Sequence, residues 1–91
     1  MVKRPELAEP VEIFKGWINR RHDALIVNLQ TFNGTNLVDL RKYVMHRDGC
    51  LKPSAKGIAV SVRRLRELHN AIGKAVVRAE ELGLIDKDGV E

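Results

Sequence analysis

The chain changes period once. Between Val11 and Val60 apolar and polar residues tend to alternate at a spacing of two; from Ser61 onward the apolar positions recur at three and four. The first spacing is that of strands and the second that of an amphipathic helix. His22-Asp23, Asn33-Gly34 and Asp48-Gly49 punctuate the first region. Asn-Gly and Asp-Gly favour two-residue hairpin turns because they tolerate the positive φ such turns need. Three turns predict four strands, near 11–20, 24–32, 36–46 and 50–60, joined as an antiparallel meander.

The faces of that sheet can be read from the alternation. Leu25, Val27 and Leu29 share one side of the second strand, while Ile26, Asn28, Gln30 and Phe32 share the other. Val38, Leu40, Lys42 and Val44 are separated in the same way from Leu37, Asp39, Arg41 and Tyr43. The fourth segment contains Lys52-Pro53-Ser54-Ala55-Lys56-Gly57. Pro53 cannot donate to a ladder and Gly57 signals a bulge or bend, so a broken strand with an exposed basic loop is expected.

Past Ser61, a fair N-cap, the stripe runs Val62, Leu65, Leu68, His69, Ile72, Val76, Ala79 and Leu82. Gly83 stands where a left-handed C-cap is expected, with Leu84 behind it to make the hydrophobic contact. The helix spans about 21 residues, or ~31 Å. The fold class is α+β: a four-stranded antiparallel β-meander followed by one C-terminal amphipathic helix. Residues 1–10, polar with Pro5, read as a flexible N-terminal arm; residues 11–83 form the domain; residues 84–91 form an acidic tail.

One helix is ~10–12 Å wide, whereas four strands make a sheet roughly 14–19 Å across. A single helix therefore cannot cover one apolar face. A second copy can, and a homodimer is expected, with Leu65, Leu68, Ile72 and Val76 at its interface. Size points the same way. A chain of 91 residues is one domain with a marginal core, and its lone cysteine, Cys50, provides no internal disulfide. A single thiol suits a reducing compartment.

Charge locates the surface of interest. The net charge of +4 arises entirely in residues 11–60, where eight basic side chains face four acidic ones; both flanks sum to zero. Such a local excess suits a polyanion. Phe32, beside the Asn33-Gly34 turn, is expected to be exposed, and Trp17 lies near Lys15 with Arg20-Arg21 following. Rings interleaved with cations bind single-stranded nucleic acid by stacking and phosphate contact. Trp17 as a core residue is the competing reading.

Catalytic constellations are poor. His22, His46 and His69 lie far apart, with no metal-ligand spacing to one another or to Cys50. A Ser61/His22/Asp23 triad competes with the capping role of Ser61. No glycine-rich phosphate loop and no carboxylate pair for acid–base work is present. No enzyme, metal site or cofactor is expected. Arg63-Arg64-x-Arg66 suggests a duplex-reading helix, but cations in a first helical turn oppose the helix dipole. No apolar run approaches the ~18 residues of a membrane span.

Phe32-Asn33-Gly34-Thr35-Asn36-Leu37-Val38-Asp39-Leu40-Arg41-Lys42-Tyr43, followed by Asp48-Gly49-Cys50-Leu51-Lys52-Pro53-Ser54-Ala55-Lys56-Gly57-Ile58, resembles the single-strand-binding core of the transcriptional coactivator family of positive cofactor four. The resemblance implies a curved sheet, a homodimer and paired channels for antiparallel single strands of DNA. By position, Phe32 resembles the base-stacking aromatic, and Arg41, Lys52 and Lys56 resemble the backbone-contacting cations. Asn33 and Thr35 stand where the family often has lysines, and Val44 where it often has an aromatic. Trp17 and Arg21 in the first hairpin are expected to compensate.

The function expected is sequence-tolerant single-stranded DNA binding in replication, recombination, repair or transcription. The alternative is a coactivator working mainly through transcription or replication proteins. A long basic regulatory arm ahead of the core is lacking, which favours a bacterial or viral member. The expected location is the cytoplasm, on the nucleoid or in a virus's host, or the nucleus of a eukaryotic host.

Overall fold

The computed structural model describes residues 4–87. Four strands, β1 (Val11–Trp17), β2 (Ala24–Phe32), β3 (Thr35–Met45) and β4 (Leu51–Ser61), pair antiparallel in the order β1-β2-β3-β4. A 3-10 turn over Val62–Arg64 leads into helix α1 (Leu65–Glu81). The meander and the terminal helix are as the alternation predicts. Met1 to Lys3 and Asp88 to Glu91 lie outside the described residues, so the acidic tail is seen only through Lys87.

Each turn has its own chemistry. Asn33 (φ 51°) and Gly34 (φ 77°) both take positive φ, as a two-residue hairpin loop requires. Asp48-Gly49 does not repeat this, because only Gly49 (φ 82°) is left-handed. Gly49 N–H donates to the His46 carbonyl at 3.0 Å, and His46 N–H to the Cys50 carbonyl at 3.0 Å. That is the longer hairpin loop in which a turn precedes one left-handed glycine. β1 ends at Trp17, three residues before the expected boundary. The cause is Asn19, whose Oδ1 accepts the N–H groups of Arg21 (2.9 Å) and Asp23 (3.2 Å). A side chain that takes over backbone donors diverts the chain from the ladder.

β4 is bulged rather than broken. Arg41 pairs with Gly57 and Tyr43 with Pro53, so Ser54, Ala55 and Lys56 together oppose the single residue Lys42. The register also fixes the two faces. Trp17, Ala24, Tyr43 and Pro53 form one row; Ile26, Arg41 and Gly57 another; Asn28, Asp39 and Ala59 a third; Gln30 and Leu37 a fourth; Phe32 and Thr35 end the face. The opposite face carries Leu25, Val27, Leu29, Val38, Leu40, Val44, Ile58 and Val60.

α1 does not cover that apolar face as a core helix would: none of its residues is buried, and Ile72 is 54% exposed. Its start also departs from expectation. Ser61 Oγ accepts Arg63 N–H at 3.3 Å and caps the 3-10 turn, while the α-helix proper begins behind Arg64 with no side-chain cap. Its end follows the C-cap pattern: Leu84 N–H reaches the Ala79 carbonyl at 2.8 Å and Gly83 N–H the Glu80 carbonyl at 3.1 Å, with Gly83 at φ 76°. Leu84 itself is 70% exposed and makes no burying contact. Among the described residues only Ala24, Ile26 and Val38 are buried hydrophobics. At ~1.5–3 kcal/mol each for Ile26 and Val38, and ~0.8 kcal/mol for the single methyl of Ala24, this burial is small beside the ~1–2 kcal/mol per residue lost on ordering the backbone.

Candidate nucleic-acid interface

The polar face holds a shallow groove of about 360 Å³ lined by Gln30, Phe32, Leu37, Asp39, Arg41, Tyr43, Pro53 and Ala59. These residues come from β2, β3 and β4, and the parity of the strands aims them to one side. Phe32 stands at the mouth, 63% exposed, beside the two positive-φ residues of its turn. The expectation of an exposed ring there is met. Thr35 is directly opposite Phe32, and Asn33 is exposed in the turn.

Arg41 is at the centre and is not a solitary cation. Its Nη2 donates to Asp39 Oδ1 at 3.0 Å, and its Nε to Asp39 Oδ2 at 3.2 Å. Its Nη1 donates to the Ser54 carbonyl at 3.0 Å. The hydrogen bond to Asp39 raises the guanidinium pKa further, so Arg41 stays charged. With 21% of its side chain exposed, it presents part of its fork to the groove while anchoring the β4 bulge. A guanidinium has five N–H donors, so donors remain for a ligand.

Ser54 completes the anchor. Its Oγ donates to the Lys42 carbonyl at 2.7 Å and accepts Lys56 N–H at 3.1 Å. Lys56 is thus displayed on a braced bulge, exposed and in no ion pair among the described residues. Lys52 is placed differently. Its register partner is Val44, on the apolar side, and its Nζ lies 3.4 Å from Asp48 Oδ2. It does not line the groove. The Cys50 backbone N–H, and then Lys52 itself, hold the Asp48 carboxyl below its usual range.

Sequence reasoning passed over Asn28, Asp39 and Ser54 as site residues. Asn28 and Asp39 are buried directly opposite each other, and Asn28 Nδ2 reaches Tyr43 Oη at 3.5 Å. Their signal was present: polar residues at alternate positions in otherwise apolar strands.

At the far end of the same face, Trp17 is 55% exposed, so its core alternative is not realised. Lys15 Nζ lies 5.0 Å from its ring centroid, and the His22 ring meets it edge to face at 5.6 Å. Arg21 is exposed, 4.0 Å from Asp23. Asp23 is buried beneath the turn; Asn19 Nδ2 (2.9 Å), Met45 N–H (3.3 Å) and Lys42 Nζ (3.6 Å) surround its carboxylate. The Asn19 hydrogen bond lowers the Asp23 pKa most, ahead of Met45, Lys42 and Arg21. Leu65, Leu68, Ile72 and Val76 lie on α1; the first two are half-buried and the last two exposed.

Among the described residues no group of three or more His, Cys, Asp or Glu side chains is arranged to hold a metal ion, and no helix is long and apolar enough to cross a membrane. Pro5 and Leu7 are tied to the β2–β3 hairpin, through Asn36 Nδ2 (2.9 Å) and Thr31 Oγ1 (2.8 Å).

Comparison with known proteins bears on the same region. The family described as Transcriptional Coactivator p15 (PC4) matches residues 23–71. A solved structure of a PC4 homolog from Burkholderia pseudomallei is similar to the chain, with a TM-score of 0.66, 20% identity, and coverage of 75% of this chain and 98% of that one. No curated protein matches the chain.

Proposed function

The chain belongs to the PC4 family of transcriptional coactivator p15, a family of non-enzymatic DNA-binding proteins, and on that premise we propose that its polar face binds single-stranded DNA. The observation that carries the reading is the groove itself, where an exposed Phe32 and a charged Arg41 share one side of the sheet, with the exposed Lys56 on the braced bulge next to Gly57, the register partner of Arg41. Bases stack on the ring, and the cations accept phosphates. Neither contact reads base edges, so binding is sequence-tolerant. Phe32 lines the groove while 63% exposed, so its ring face is available to a base.

The protein acts as a homodimer in this proposal. The uncovered apolar face and the unburied stripe of α1 supply the surface, and two copies related by a twofold axis bury both. Two grooves then hold two strands of melted duplex. The processes served are replication, recombination, repair or transcription. Action chiefly through protein partners, as a coactivator, is the second reading, supported by the family description.

The test is fluorescence anisotropy of a labelled thymine oligonucleotide, alone and against duplex competitor. Phe32→Ala is expected to weaken single-strand binding about tenfold, since stacking on one ring is worth ~1–3 kcal/mol. Its urea midpoint should not move, because the ring is exposed. Wild-type protein that prefers duplex, or ignores both, overturns the reading. Protein partners that survive Phe32→Ala with DNA binding abolished would favour the coactivator reading.

A further inference from the structure

The polar face carries a second ring that the groove does not include. Trp17 stands in the row of Ala24, Tyr43 and Pro53, at the opposite end of β2 from Phe32. Both rings therefore project from the same side of the sheet. The family match begins at residue 23, so β1 and its turn lie outside it.

Three features make Trp17 more than a stray surface aromatic. It is more than half exposed at a strand end, where a ring has room to bury against the neighbouring turn. Cations surround it: Lys15 sits over its ring, and Arg20 and Arg21 are exposed in the adjoining turn. The turn is also rigidly held, by Asn19 and by the buried Asp23, whose carboxylate reaches across to Met45 on β3. A ring and three cations on a braced corner form a stacking platform with phosphate contacts beside it.

We propose that Trp17 is a second base-stacking station for the same single strand, with Lys15, Arg20 and Arg21 neutralising its phosphates. The inference rests on the single-strand reading of the groove and extends it along the sheet. From Phe32 to Ala24 is eight residues of strand, or ~27 Å at the usual rise. A stacked strand advances ~3.4 Å per nucleotide, so the two rings stand about eight nucleotides apart, and fewer when the strand is stretched. Gln30, Asn28 and Arg41 give the strand between them a polar floor. Lys15 does not block the platform. A cation–π contact at an exposed site is weaker than base stacking, and the flexible lysine stem lets the ammonium move to a phosphate.

The sole tryptophan of the chain makes the test direct. Trp17 emission is titrated with thymine oligonucleotides of three and of twelve residues, and the affinity of labelled twelve-mer is measured for wild type, Trp17→Ala, Trp17→Phe and Phe32→Ala. Expected is quenching by the twelve-mer and little by the three-mer at the concentration that saturates with the longer strand. Trp17→Ala should weaken the twelve-mer about tenfold, and Trp17→Phe should restore most of the loss. Circular dichroism confirms that the variants fold.

If the twelve-mer binds in a Phe32-dependent way while Trp17 emission is unchanged and Trp17→Ala binds as wild type, this inference fails and the groove reading stands. If wild-type protein does not bind the twelve-mer, the groove reading fails and takes this inference with it.

Discussion

Gly57→Ala probes the joint between fold and site. Gly57 pairs with Arg41 at the edge of the β4 bulge. An added Cβ would lie 2.5 Å from the Leu40 carbonyl oxygen, 2.7 Å from Arg41 Cα and 2.9 Å from Arg41 Cβ. All three belong to β3, and two are backbone, so no flexible side-chain end can give way. The oxygen would have to retreat from 2.5 Å to about 3.4 Å to reach ordinary contact. β4 has a neighbour only on the β3 side, so the strand is displaced outward and the adjacent ladder bonds stretch. Two weakened bonds at ~0.5–1.5 kcal/mol each, on top of residual overpacking, come to ~2–3 kcal/mol. The smaller entropy of an alanine-containing unfolded chain offsets ~0.4–1 kcal/mol. The net is a destabilisation of about 2 kcal/mol, or a Tm lower by ~10 °C for a domain of this size. The assay is urea unfolding at fixed protomer concentration, with single-strand affinity measured on the folded fraction. Affinity should fall as well, because the same displacement moves Arg41 and the Ser54 carbonyl it holds. Gly49→Ala is the control: its Cβ meets nothing within 4 Å, so it reports only the cost of positive φ. A Gly57 variant within 0.5 kcal/mol of wild type and unchanged in binding would refute the argument.

Other expectations follow from single contacts. The lowered pKa of Asp23 means that its ionised form stabilises the fold; that contribution is present above the ordinary carboxylate range and is lost as pH falls through the lower folded value. Below about pH 4, wild-type stability should therefore fall more steeply than that of Asp23→Asn, read from urea midpoints across pH. Equal slopes would show that the hydrogen bonds to Asp23 do not favour its charged form. Ile72→Asp alters a residue 54% exposed in the single chain, where the cost should stay within ~0.5 kcal/mol. In a symmetric dimer the change is made twice, and at ~1.5–3 kcal/mol per buried isoleucine it should weaken association by a hundredfold or more, as read by sedimentation. Lys56→Ala should lower the magnitude of the salt slope of single-strand binding by about 0.7, the increment for one phosphate contact. Lys52→Ala should change that slope less, because Lys52 is paired with Asp48.

The residues whose roles are local were the legible ones. Strand β2 begins and ends where the alternation places it, and Asn33-Gly34 folds as its dipeptide dictates. Partners distant in sequence were harder to foresee. The early end of β1 depends on Asn19 seizing the amides of Arg21 and Asp23. An Asn between Ile18 and two arginines carries no obvious mark of that. Arg41 and Asp39 stand two apart on one strand, so their pairing is local; that Arg41 also holds the Ser54 carbonyl required the bulge, whose size no composition rule supplies. Lys52 shows the opposite failure. Its parity with Ile58 and Val60 already set it on the apolar side, but a loop in the middle of β4 was expected to release it from the alternation. The strand stayed continuous, and the parity held.

The polar floor explains how an exposed ring can stay exposed. In a small domain with few buried side chains, an aromatic such as Phe32 gains by folding down onto any apolar surface within reach. On this face the row beside it is Gln30 and Leu37, and beyond that come Asn28, Asp39 and Arg41, with Asn28 and Asp39 buried and every buried side-chain polar atom of the described residues hydrogen-bonded. Collapse of the ring toward that floor would gain apolar contact mainly from Leu37, since Asn28 and Asp39 beyond it are already buried and hydrogen-bonded. Ala24 and Ile26 are the only hydrophobic residues buried on this face among the described residues, so further apolar burial must come from the other face, which one helix leaves uncovered. In the proposed dimer, binding and assembly are therefore coupled. Dilution that dissociates the dimer also loosens the sheet that spaces Phe32, Arg41 and Lys56, so single-strand affinity per protomer should fall at the protomer concentration where sedimentation shows dissociation. Affinity unchanged across that concentration would mean that one sheet holds its groove unaided.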